Sequence, residues 1–171
     1  EFAVQLLHAM TPWRLHRRRS NRASELCTWL LGQIEWSYFV SNVPRLLWAS
    51  LLGLNRAERF PPSSSLLVQY VVHANDMGLL GLRSRAARYY DAAYELSKSL
   101  NDHWGAALAT SHRTIESLVA PTFEEGVANA RTGMQMFSKI GEVAEVHIAH
   151  FVLALSLYRK GDLVEAYREA Q

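Results

Sequence analysis

The chain has 171 residues, 49% hydrophobic and 20% charged, which is enough apolar surface for a real core and the wrong balance for a disordered segment. A formal net charge of +2 creates no global field that demands nucleic acid or acidic lipid, and the longest apolar run, near 66–72, is far too short to span a bilayer. The single cysteine, Cys27, excludes an internal disulfide and fits a reducing compartment, and no positively charged segment precedes the N-terminal apolar stretch, so the expected location is cytoplasmic.

In chain order, the apolar spacing predicts a short helix over about 2–10 and then a basic connector over about 11–20. A first helical hairpin follows over about 21–39 and 44–59. A second occupies about 64–79 and 83–100, opened by Ser63, Ser64 and Ser65 as candidate N-caps after a double proline. The third covers about 103–119 and 123–140, with Gly141 placed as a C-cap glycine. A fourth begins at about 143–160 and is cut short after Asp162, so the chain reads as a segment of a longer one. Helices of about 17 residues reach roughly 26 Å. No alternating run is long enough to argue for strands. Two domains are expected: 1–20 as N-terminal helix and connector, and 21–171 as a helical-repeat domain.

The hairpins repeat every 40 residues. Ser41, Gly81, Pro121 and Gly161 share a column suited to a tight turn. Five residues later Ala86, Gly126 and Ala166 supply small side chains, where Leu46 departs. Gly53, Ala93 and Gly133 return seven residues on, on the same helical face, and Phe60, Leu100 and Ile140 close the unit before a polar or proline-glycine break. Ala86, Ala93, Gly126, Gly133 and Ala166 are therefore expected to be the notches through which neighbouring helices pack. A truncated last hairpin would leave an apolar face bare, which predicts dimerisation or aggregation there.

These columns resemble tetratricopeptide repeats, stretched from 34 to 40 residues by longer helices. Leu153, Ala154, Leu157, Gly161, Leu163 and Ala166 fall at the spacing of that motif; His73 and Arg113 depart from the apolar residue it expects. The segments LLHAMTPWRL (6–15), LLWASLLGLNRAER (46–59), MGLLGL (77–82), ELSKSLND (95–102) and LALSLYRKGDLVEA (153–166) are similar to the C-terminal repeats of large signalling ATPases that carry nucleotide-cyclase or kinase modules. The resemblance implies an all-α array of antiparallel hairpins, an α-solenoid, acting as a non-catalytic regulatory arm that binds a protein, a peptide or another domain of its parent chain. A HEAT-like array, also near 40 residues in period, is the alternative fold. In the repeat geometry Glu35, Tyr38, Asn75, Ser111, Tyr158 and Arg159 fall near the inner groove. The competing functional reading is a sensor holding a small effector in that groove.

Other constellations are weaker. Gly78-Leu79-Leu80-Gly81 lacks the lysine and hydroxyl of a phosphate loop. His147 and His150, near Glu145, lack a third strong ligand for a metal, and no cofactor is expected. Cys27 and the aromatics Trp29, Trp36, Tyr38, Phe39 and Trp48 read as core, and His112 with Glu116 as a surface pair. Arg14, Arg17, Arg18, Arg19 and Arg22 form the sharpest local feature. The sequence favours a solvated connector, or docking on an acidic face of the parent protein, over nucleic-acid or membrane contact.

Overall fold

The computed structural model describes residues 1–10, 18–19, 21–39 and 41–171, apart from the side chains of residues 2, 6, 9, 10, 36 and 39. Among the described residues the chain is all-helical, without a strand. The helices are α1 (Phe2–Met10), α2 (Arg22–Phe39), α3 (Val43–Ala57), α4 (Ser64–Leu79), α5 (Arg83–Leu100), α6 (His103–His112), a 3-10 helix (Arg113–Leu118), α7 (Phe123–Ile140), α8 (Val143–Lys160) and α9 (Leu163–Glu169). No helix among them is long and apolar enough to cross a membrane.

Side chains and left-handed caps explain where the helices start and stop. Asn21, Asn42, Ser63 and Asp102 each accept a hydrogen bond from the backbone N–H three residues on, satisfying one of the donors that a helix start leaves orphaned. Gly81, Gly141 and Gly161 take φ of +76°, +77° and +94°, a region in which a Cβ is strained. The N–H of the residue after each bonds five residues back: Leu82 to Met77, Glu142 to Phe137 and Asp162 to Leu157. Asn101, at φ +53°, does the same work after α5, with Asp102 bonding to Ser97. Two residues then separate α5 from α6, α7 from α8 and α8 from α9, which forces each chain reversal.

The first helix of the third hairpin departs from expectation. The sequence predicts one helix to about residue 119, but α6 ends at His112 and continues as a 3-10 helix. Pro121 occupies the column that holds glycine at 81 and 161, and it favours an extended residue before it rather than a left-handed cap. Hydroxyls also take up carbonyls here: Thr114 donates to Gly126 O at 3.0 Å and Ser117 to Thr114 O at 2.6 Å.

Two compact units form, Glu1–His73 and Ala74–Gln171. In the first unit Leu46, Ala49, Leu54, Ala57, Leu66, Leu67 and Val71 are buried. The N-terminal helix belongs to this core: α1 packs on α3, where Gln5 Nε2 donates to Asn55 Oδ1 and to Glu58 Oε2, both at 2.8 Å, and His8 Nδ1 lies 2.6 Å from Glu58 Oε2. In the second unit Tyr90, Phe137, Leu153 and Leu157 are the large buried side chains. Val127 and Met134 pack against Ala130, Leu153, Leu157 and Ala166, joining α7, α8 and α9.

Gly126 and Gly133 sit at the crossings of α7 with α6 and the 3-10 helix. Ala86, Ala93, Gly126, Gly133 and Ala166 are all buried. A Cβ at Gly126 would stand 2.5 Å from the Ser117 Cβ, and one at Gly133 would stand 2.4 Å from the Ser111 Cβ and 2.7 Å from its Cα. Backbones therefore approach closely where α7 crosses α6 and the 3-10 helix.

Candidate interaction surface

The groove residues suggested by sequence separate into two classes. Tyr158 and Arg159 are exposed on α8. Tyr38 is half-buried, with the Arg45 guanidinium 6.0 Å from its ring centre. Glu35 and Ser111 are not available to a partner, being 3% and 6% exposed. Glu35 shares one buried face of α2 with Thr28 and Gly32, at helical spacing, and that face takes the amide of Gln69 from α4: its Nε2 donates to Thr28 O at 3.1 Å. Ser111 lies under Gly133 at the α6–α7 crossing. Asn75 is half-buried and tied inward: its Nδ2 donates to His112 Nδ1 at 2.9 Å, and its Oδ1 accepts from the Tyr90 hydroxyl at 2.7 Å.

That last contact belongs to a buried polar network which sequence spacing does not suggest. The Tyr90 hydroxyl also lies 2.8 Å from His112 O. Burial lowers the His112 pKa to about 4, so the ring is neutral at pH 7. With Nδ1 accepting from Asn75, Nε2 carries the proton. Burial raises the Tyr90 pKa, and the Glu116 and Asp76 carboxylates push it further in the same direction against Arg113. Arg113 pairs with Asp91 and stands 5.4 Å from the Tyr90 ring centre. The two departures from the repeat motif thus have local uses: Arg113 covers this network, and His73, buried, places Nδ1 3.5 Å from the Ser50 hydroxyl.

Beside the network lies a polar cleft of about 470 Å³ between the N-terminal ends of α5 and α7, bounded by Arg83, Ser84, Arg113, Glu116, Thr122, Glu125 and Asn129. The Glu116 carboxyl is raised above the usual range by burial and by Glu125, with Arg83 and Arg113 pulling it down. His112 and Glu116 are therefore not a surface pair: the imidazole is buried and the carboxyl borders the cleft.

Several aromatic and apolar side chains expected in the core lie outside. Trp29 and Trp48 are 51% and 53% exposed, Leu26, Leu30 and Ile34 join them, and Cys27 is exposed. α2 turns its Thr28–Gly32–Glu35 face inward, so its bulky apolar residues face out. On α8, Ala144, His147, Phe151 and Tyr158 form an exposed stripe at helical spacing, with Phe151 66% and Tyr158 64% exposed. Val143, Leu163, Val164 and Tyr167 are exposed nearby in sequence. His150 pairs with Glu169 at 2.8 Å, while Glu169 and Glu165 also flank Arg131. Among the described residues no three His, Cys, Asp or Glu side chains group as a metal site.

Of the basic patch, Arg14 and Arg17 lie outside the described residues, and Arg22 is exposed at the start of α2. Arg18 and Arg19 meet the end of α3, because Arg18 N donates to Arg59 O at 2.8 Å. They border a cleft of about 260 Å³ together with Arg56 and Arg59. Comparison with protein-family models, with curated proteins and with solved structures found no match.

Proposed function

We propose that the chain is a non-catalytic helical-repeat interaction module of the tetratricopeptide-like kind, a regulatory arm of a larger cytoplasmic signalling protein of the ATPase, cyclase or kinase type. Helices that reverse through two-residue links, and small buried residues recurring 40 apart at Ala86, Gly126 and Ala166, support the repeat reading. The observation that carries the interaction reading is the exposed α8 stripe. Two aromatics, Phe151 and Tyr158, stand in water two helical turns apart, on a helix whose opposite face buries Ala149, Leu153 and Leu157. Exposed aromatics on a well-packed scaffold suit anchors for a protein or peptide, and they cost little ordering entropy on binding. Partner binding would then shift the parent protein between its active and inactive arrangements.

The test is a Phe151→Ala/Tyr158→Ala double variant. Its melting temperature should stay within about two degrees of the parent's, because both side chains are largely exposed. Capture of partners, or of the other domains of the intact chain, should fall at least about tenfold in quantitative affinity purification. Unchanged capture removes this face from the interaction. A concentration-dependent dimer abolished by the same double variant would assign the face to a second copy.

The polar cleft in the second unit favours a second reading, the binding of a small effector. Arg83, Arg113, Glu116 and Asn129 converge there on about 470 Å³, the mixed-charge lining that would suit a small zwitterion. A thermal-shift screen with amino acids and related metabolites should then give a stabilisation that Arg83→Gln abolishes. A stabilisation indifferent to that substitution would reject the cleft as its source.

A further inference from the structure

We propose that the arginine cleft of the first unit binds a compact polyphosphate group, such as the di- or triphosphate of a small metabolite. The cleft has a volume of about 260 Å³, and its lining brings together Arg18 and Arg19 from one segment with Arg56 in the last turn of α3 and Arg59 just beyond it. Among the described residues Asn21, Ser24 and Phe60 also line it, and neither Asp nor Glu does. Among the described residues, none of the four arginines forms an ion pair with a carboxylate. The nearest acidic residue in sequence, Glu58, is buried and holds Gln5 and His8 instead.

The backbone bond from Arg18 N to Arg59 O holds the two arginine pairs together although about 40 residues separate them in sequence. Four like charges gathered this way repel one another, and an anion inside the cleft would relieve all of them at once. The helix dipoles do not decide the matter, because the N-terminal turn of α2 and the C-terminal turn of α3 both border the cleft and offset each other.

The chemistry of the donors selects the anion. Guanidinium groups present paired N–H donors that match the spacing of phosphate oxygens, and all four cations here are arginine. The space exceeds that of a single tetrahedral oxyanion and suits two or three linked ones. A concave site of this size fits a compact polyanion better than the long backbone of nucleic acid or a flat membrane surface. This inference stands apart from the α8 surface, which lies in the other unit and uses none of these residues.

The test titrates the full chain with inorganic triphosphate, pyrophosphate, phosphate and sulfate at matched ionic strength, followed by calorimetry. Triphosphate should bind most tightly, pyrophosphate less, and phosphate and sulfate at least about tenfold more weakly than triphosphate. Arg56→Gln/Arg59→Gln should weaken triphosphate binding by about tenfold or more, since each charge-assisted hydrogen bond contributes about that factor. Arg88→Gln/Arg168→Gln, which removes two exposed charges elsewhere, should bind like the parent. Circular dichroism confirms that each variant is folded, and failure of the first to fold moves the test to the Arg18→Gln/Arg19→Gln pair. Equal binding of sulfate and triphosphate, or an affinity that neither arginine pair alters, overturns the proposal. So does retention on phosphatidylserine vesicles without triphosphate binding, which would mark a membrane-facing patch instead.

Discussion

Gly133→Ala should lower the stability of the second unit by about 1–3 kcal/mol, although alanine favours a helix over glycine by about 1 kcal/mol. The added Cβ would meet the Ser111 Cβ at 2.4 Å, its Cα at 2.7 Å and its N at 3.0 Å. Two of those atoms are backbone, so no rotamer change relieves the overlap and α6 and α7 must move apart. That shift disturbs the packing around Phe137 and Leu153, both fully buried. Gly126→Ala offers a graded comparison. Its closest contacts are the Ser117 Cβ and Oγ at 2.5 and 2.6 Å, with backbone no nearer than the Thr114 carbonyl at 3.7 Å, so its cost should be smaller. Urea unfolding of both variants measures the difference. Adding Ser111→Gly to Gly133→Ala should recover part of the loss, a coupling that a double-mutant cycle isolates. A Gly133→Ala variant as stable as the parent would refute the close crossing.

The column containing Gly133 shows how much a repeat pattern can say. Gly53, Ala93 and Gly133 recur at the same spacing, and all three are buried. Spacing predicts that much, because a helix face repeats with a fixed period. The reasons differ. A Cβ at Gly53 would meet only the end of the Gln69 side chain, whereas one at Gly133 would meet backbone, and position 93 accepts alanine. Helix positions were similarly legible: α4, α5, α7 and α8 span the predicted segments because asparagine, serine, aspartate and glycine at the boundaries act within five residues of themselves. What escaped the sequence depends on contacts across long separations. Glu35 and Ser111 were misplaced because a helix face is assigned by its neighbours, and the apolar face of α2 turned out to be the exposed one. Half of the arginine cleft was legible: Arg18 and Arg19 belong to the basic stretch, but their meeting with Arg56 and Arg59 depends on a backbone bond between residues 18 and 59 that no spacing reveals. The exposed stripe on α8 was foreshadowed only as the bare apolar face of a final hairpin.

Acidification should destabilise the second unit through His112, by about 3 kcal/mol in total. The imidazole has a pKa of about 4 when folded, against an unperturbed value of 6.5. A pKa lowered by folding means that the unfolded chain binds the proton more readily. Stability is therefore full above pH 6.5, falls as the pH drops from 6.5 to about 4, and levels off below. The cause is burial, since a charge on this ring loses its hydration. Protonating Nδ1 would also set two donors against each other, because Asn75 Nδ2 already donates to that atom. Glu116 and Glu145 act in the opposite sense. Their folded pKa values are raised, chiefly by burial, so they bind protons more readily in the folded chain and oppose the loss as the pH falls toward 4.5. The histidine contribution is separated from theirs by His112→Asn, which keeps an acceptor near the position of Nδ1 and cannot titrate. Urea unfolding at pH 7 and pH 4.5 should show a fall in the parent that this variant largely lacks, even where its stability at pH 7 is lower. A parallel fall in both would mean that protonation of His112 does not drive the acid response.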